Sequence, residues 1–174
     1  FAGGDVKSNN RGCQALGFGG IEFIYEKFGN DFTLLLPIFT RKRKEDYRIE
    51  SNNQNSRNIF CKSYTYTDII LAYFELKVFR KTKSNLKNKL AKDLIDNKYF
   101  LNINGGDSFS DIYGLKQFLI FLLPSLVALL FNKKLHLLPQ TIGPFKKMYA
   151  IKITKYILKK AQKVFIRDDE FEKN

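Results

Sequence analysis

The chain predicts an α/β fold on a mostly parallel sheet, and three strand-to-turn junctions carry that prediction. An apolar run, Tyr99-Phe100-Leu101-Asn102-Ile103, empties into Asn104-Gly105-Gly106-Asp107 and then Ser108-Phe109-Ser110-Asp111. Leu135-His136-Leu137-Leu138 runs into Pro139-Gln140-Thr141-Ile142-Gly143-Pro144, and Val164-Phe165-Ile166 into Arg167-Asp168. Helical patterns separate these strands, so the order reads βαβαβ. Right-handed crossovers with helices on both faces then give a doubly wound, Rossmann-like sheet.

From the start of the chain, Phe1-Ala2 reads as the end of a first strand, with Gly3-Gly4-Asp5 turning out of it and a polar loop from Lys7 to Gly12. From Cys13 to Phe28 apolar residues recur at helical spacing through Leu16, Ile21, Ile24 and Phe28. Gly17, Gly19 and Gly20 each cost that helix about 1 kcal/mol against Ala, so close packing or a ligand must want the missing side chains. Gly17-Phe18-Gly19 is no dinucleotide fingerprint, because its third glycine would fall at Glu22. Gly29-Asn30 ends the helix, and Phe32 to Ile38 reads as a buried strand. Thr40 to Ser63, with Arg41-Lys42-Arg43-Lys44 and an Asn/Ser/Gln stretch, reads as a surface strand and loop. Helices follow at about Thr67 to Phe79 and Asn85 to Asp96, joined by the basic Arg80-Lys81-Thr82-Lys83. The closing order is strand 99–104, helix 114–132, strand 135–138, helix 145–162 and strand 163–167.

With 174 residues, 44% hydrophobic composition and seventeen Phe, the chain suits one domain spanning 1–174 with an ample core. The formal net charge of +13 invites a nucleic-acid or acidic-membrane reading. The basic residues read as scattered, however, and solvated lysine faces explain them, so no nucleic-acid partner is expected. Cys13 and Cys61 match no metal spacing and no disulfide framework, which suits a reducing cytoplasm, and no metal is expected. His136, the sole histidine, falls in an apolar strand and reads as a packed, hydrogen-bonded core residue. No signal peptide is visible, and the Phe118 to Phe131 stretch, broken by Pro124 and Ser125, is short of the ~20 residues a membrane span needs. It reads as a buried crossover helix. Opening without Met and stopping inside what reads as a new element, the chain looks cut at both ends.

The chemistry gathers at the strand ends, where ligands of parallel α/β folds sit. Gly105 and Gly106 let backbone amides approach a ligand, and Asp107 and Asp111 beside them suit either sugar hydroxyls and proton transfer or helix capping. Gln140 and Gly143 end the next strand, with Pro144 suited to the first turn of a helix whose N-terminus could cradle an anion. Arg167 offers a planar fork for carboxylate or phosphate, or else an ion pair with Asp168.

Four segments together resemble the polysaccharide pyruvyl transferase family. They are Asn10-Arg11-Gly12-Cys13-Gln14-Ala15-Leu16, Asn104 to Asp111, Leu138-Pro139-Gln140-Thr141-Ile142-Gly143-Pro144-Phe145, and Ile166-Arg167-Asp168-Asp169-Glu170. Their order and spacing agree with the family throughout. The similarity covers nearly all of this chain but only the amino-terminal half of what the family usually has.

The resemblance implies one lobe of a two-lobed, GT-B-like enzyme that moves pyruvate from phosphoenolpyruvate to two sugar hydroxyls as a cyclic ketal. Such an enzyme serves the biosynthesis of cell-surface polysaccharide or exopolysaccharide. It implies Asp107 and Arg167 as catalytic, and Asn10, Gly12, Gly105, Gly106, Asp111, Gln140, Gly143 and Asp168 as substrate-binding. It further implies no cofactor beyond the donor substrate and a saccharide or lipid-linked saccharide acceptor. The expected setting is the cytoplasm, with peripheral association at the inner face of the membrane. The fragment alone would be inactive, since a histidine and further basic residues belong to the absent carboxyl-terminal lobe. Two rivals stand beside this reading: a GT-B-like glycosyltransferase using a nucleotide sugar, and a non-enzymatic basic module binding through Arg41 to Lys44.

Overall fold

The computed structural model describes residues 2, 6, 10–29, 33–42, 44–49, 58–78, 86–104 and 109–166. Within them lie α1 (Arg11–Phe28), β1 (Thr33–Thr40), β2 (Tyr47–Ile49), β3 (Asn58–Thr65), α2 (Tyr66–Val78) and α3 (Lys89–Asp96). Then follow β4 (Tyr99–Asn102), α4 (Gly114–Leu130), β5 (Lys134–Gln140), α5 (Met148–Lys160) and β6 (Lys163–Ile166). The closing βαβαβ order is therefore the one its apolar periodicity predicts.

Two three-stranded sheets form, in the orders β1-β3-β2 and β4-β5-β6. The second is wholly parallel, with Phe100 opposite Leu135 and His136 opposite Lys163. In the first, β1 and β3 run parallel from Thr33↔Asn58 to Thr40↔Thr65, while β2 is an antiparallel edge on β3. Ala2 adds a parallel bridge beside β4: its amide donates to the Leu101 carbonyl at 2.7 Å and its carbonyl accepts from the Ile103 amide at 2.9 Å.

Strand alternation sends side chains into two apolar clusters, one on each face. Phe100, Leu135 and Leu137 pack with Ala72 of α2, Leu90 of α3, Phe118 and Leu122 of α4, and Ala150 and Ile157 of α5. Ile103 and Leu138 turn the other way, joining Leu34, Leu36, Ile59 and Cys61 against Ile21, Ile24 and Tyr25 of α1. Strands of both sheets enter both clusters, so helices cover two faces of one mixed α/β layer. Truncating the fully buried Phe118 to Ala would cost about 3–5 kcal/mol.

Several expectations change in detail. The segment from Thr40 to Ser63 is no mere surface excursion, because it contributes most of β3, the central strand of its sheet. Its polar letters hide an alternation in which Ile59 and Cys61 are buried, and Ser63, also buried, accepts from the Lys44 amide at 2.9 Å. Residues 50–57, like the basic link 79–85, lie outside the described residues. The Phe118 to Phe131 stretch is a crossover helix as expected, yet only one side of α4 is buried, and Leu115, Leu119, Ile120 and Leu130 are exposed. Pro144 does not open α5, which begins at Met148; it follows a cis peptide bond after Gly143. Gly17 and Gly20 are on the buried side of α1, whereas Gly19 faces open space and nothing in the structure explains it.

Candidate functional site

The parallel strands deliver their carboxyl ends to one edge, and there the loops after β4 and β5 are tied to each other. Ile142 bridges Phe109 in parallel, and the Gly143 amide donates to the Phe109 carbonyl at 2.9 Å. One layer deeper, the Asn104 amide donates to Oε1 of Gln140 at 2.8 Å. Gly143 has φ +95, a conformation that side-chain-bearing residues rarely adopt, and this lets the chain turn directly after that contact.

Asp111 lies at the same edge and spends its carboxylate on backbone. Oδ1 accepts from the Lys146 amide at 2.9 Å and Oδ2 from the Lys147 amide at 2.7 Å. The hydrogen bond from Lys146 above all holds its pKa below the ordinary carboxylate value. Of the two sequence readings of this residue, these bonds favour the structural one, in which Asp111 ties its own loop to the two residues that lead into α5. Asp111 thus engages the two amides that precede α5, while no side chain among the described residues caps the first turn of that helix, and the Gly143 amide is engaged by Phe109.

What the edge leaves open is a pair of carboxamide donors. Gln140 is 2% exposed and Asn104 5%, and neither Nε2 of Gln140 nor Nδ2 of Asn104 has a hydrogen-bond partner among the described residues. An unpartnered buried donor costs about 1–3 kcal/mol, and buried polar groups are otherwise almost always paired. Two together at the carboxyl ends of adjacent parallel strands suit a ligand oxygen. Gln140 was among the residues singled out from sequence. Asn104 was not, although its place directly after the apolar run of β4 was the available signal.

Asn10 and Gly12 belong to the start of α1, on the connection that leaves the Ala2 bridge. Oδ1 of Asn10 accepts from the Gly12 amide at 2.9 Å and from the Cys13 amide at 3.4 Å, which makes Asn10 the N-cap. A Cβ on Gly12 would stand 3.2 Å from that oxygen. Gly105, Gly106 and Asp107, which follow Asn104 in the chain, and Arg167 and Asp168, which follow β6, lie outside the described residues.

His136 points elsewhere. It is half-buried in β5, with its ring edge-on to Tyr99 at 5.8 Å, and burial lowers its pKa while a hydrogen bond with Gln162 opposes that shift. The residue is packed as expected, though half-buried rather than in the core, and its Nε2 has no hydrogen-bond partner among the described residues. Cys13 and Cys61 are free thiols, and among the described residues no group of three or more His, Cys, Asp and Glu could hold a metal ion. No helix among the described residues is long and apolar enough to cross a membrane.

No curated protein and no solved structure matches the chain. The family model described as polysaccharide pyruvyl transferase matches residues 10–170. That span begins at the α1 cap, takes in the Asn104 and Gln140 strand ends and runs past β6, so the match covers the whole of the edge just described. The chain belongs to the polysaccharide pyruvyl transferase family.

Proposed function

We propose that this chain is the amino-terminal, Rossmann-like lobe of a GT-B-like enzyme that transfers the pyruvyl group of phosphoenolpyruvate to two saccharide hydroxyls as a cyclic ketal. Membership of the family points to polysaccharide modification and a saccharide acceptor. The observation that carries the finer reading is the pair of buried donors on Asn104 and Gln140 that have no partner among the described residues. A donor substrate with a carboxylate and a phosphate presents many acceptor oxygens and no competing donors at neutral pH, which is the complement of two NH2 groups.

Protonation of the terminal enol carbon creates a cation-like centre at C2, and one sugar hydroxyl adds there. The C2–O bond to phosphate then breaks, and a second hydroxyl closes the ring. One of the two hydroxyl protons balances the proton placed on carbon; the other leaves with phosphate. Asp107 takes the proton-transfer role, and Arg167, with Asp168 beside it in the chain, holds an anionic group of the donor. Asn104 and Gln140 hold a carboxylate or phosphate oxygen, with the backbone of Gly105 and Gly106 able to approach it closely. Asp111 and Gly143 act by fixing the loops, and Asn10 and Gly12 contribute from the start of α1.

The test supplies the full-length protein with phosphoenolpyruvate and a lipid-linked saccharide and seeks an acid-labile pyruvate ketal together with inorganic phosphate. Release of neither product with a range of saccharide acceptors rejects the proposal. Turnover of a nucleotide sugar under the same conditions would establish the glycosyltransferase alternative instead.

A further inference from the structure

From the layer formed by α4 and α5, we infer that the outer face of this helix pair docks on an anionic lipid bilayer. The charge surplus, which reads as scattered along the sequence, is in fact concentrated. Between Asp111 and Asp168 the chain holds ten Lys and Arg167 but neither Asp nor Glu. Helices α4 and α5 touch each other and bury their inner residues in the same cluster, so their outer residues face the same way.

On α5 the inner residues Ala150, Thr154 and Ile157 are buried, and Lys152, Lys155 and Lys159 occupy the opposite, exposed face together with Tyr156. On α4 the buried residues Phe118, Leu122 and Ser125 leave Leu115, Leu119 and Ile120 outside, at 48%, 38% and 38% exposure, with Leu130 continuing the stripe at 46%. Leucines at those positions gain nothing from water, and α4 has one charged residue, Lys116, in seventeen.

A face that is apolar on one helix and carries three lysines around Tyr156 on the next matches the two layers of a bilayer interface. Leucines enter the acyl boundary, Tyr156 sits at headgroup level, and lysine stems lie along the apolar surface with their ammonium groups among lipid phosphates. A nucleic acid would satisfy the lysines and leave the leucine stripe wet. A second copy of the chain would bury the leucines but bring lysine against lysine. This inference does not depend on the catalytic reading, because the face is built from the outer sides of helices and not from the strand ends.

Flotation of the full-length protein with vesicles of phosphatidylcholine alone, and with about a third phosphatidylglycerol, tests it. The protein should float with the anionic vesicles at least about tenfold more tightly than with the neutral ones, and less so as salt rises. Lys155→Ala with Lys159→Ala should weaken that binding about thirty-fold, corresponding to about 1 kcal/mol for each lysine at the surface. Leu119→Ser with Ile120→Ser should also weaken it, with circular dichroism reporting an intact fold. Equal partitioning to both vesicle types, or to neither, overturns the inference. So does tight binding of duplex DNA that depends on the lysines but not on the leucines, or a dimer that Leu119→Ser dissociates without change in flotation.

Discussion

The two sheets of this molecule treat their buried polar groups in opposite ways. Around β3 the polar side chains close on neighbours: Ser63 accepts from the Lys44 amide and donates its own amide to Asp46 at 2.9 Å. Tyr64 donates to Oδ2 of Asp93 at 2.7 Å, and Lys62 pairs with the other oxygen. Thr65 donates its amide to Asp68 at 2.7 Å, tying the end of β3 to the first turn of α2. At the ends of β4 and β5, by contrast, Asn104 and Gln140 satisfy one contact with each other and keep an amide nitrogen of each without a partner among the described residues. A closed network holds a fold together; an open one, held rigidly, is what a binding site requires.

The sharpest way to break this contrast is through catalysis at the open edge. Replacing Asp107 with Asn should lower turnover by about 10²–10⁴-fold, the range for loss of a positioned proton-transfer group, with phosphate release as the readout. Near-normal rates would return Asp107 to a turn or capping role. Asn104→Ala tests the open donors themselves: kcat/KM for the donor substrate should fall about tenfold or more, while stability changes by less than about 1 kcal/mol because the lost NH2 has no partner among the described residues. A large stability loss with unchanged kcat/KM would show that this donor is structural.

Tyr64→Phe is the matching change in the closed region. Burial, and next the hydrogen bond to Asp93, push the Tyr64 hydroxyl far above its ordinary pKa, so it remains a donor throughout the useful pH range. Its removal should cost about 1–2 kcal/mol in denaturant unfolding and leave kcat/KM untouched.

The smallest effect concerns pH. The folded pKa of Asp111 lies below its ordinary value of 3.8, so the ionised form favours the folded state. Its stabilisation is complete above the ordinary value and is lost as pH falls through the lowered one. Unfolding measured across acidic pH should therefore show a flatter decline for Asp111→Asn than for the unaltered protein; parallel curves would show that Asp111 contributes nothing to the acid limb.

Much of this was legible beforehand, and the reason differs from element to element. The strands at Phe100 and Leu135 and the helix containing Phe118 and Leu122 announce themselves by periodicity, which is a local property. β3 did not, because Lys62, Ser63 and Thr65 look like loop residues until Asp93, Lys44 and Asp68 are seen to satisfy them. Asp111 reads equally well as a sugar ligand or as a structural residue; its pairing with the Lys146 amide, thirty-five positions away, describes the second. The charge of the chain was countable, but the shared direction of the leucine stripe on α4 and the lysines on α5 emerged only when both helices packed on one side of the sheet.

By itself the sequence determined the order of strands and helices, the family, and the gathering of glycine, amide and acidic residues just beyond strand ends, since each follows from spacing along the chain. Only the tertiary structure decided which of those polar groups are consumed internally and which stay open. A hydrogen bond links atoms, not positions in a pattern, and whether Gln140 meets Asn104, or Asp111 meets Lys146, depends on how distant loops are brought together.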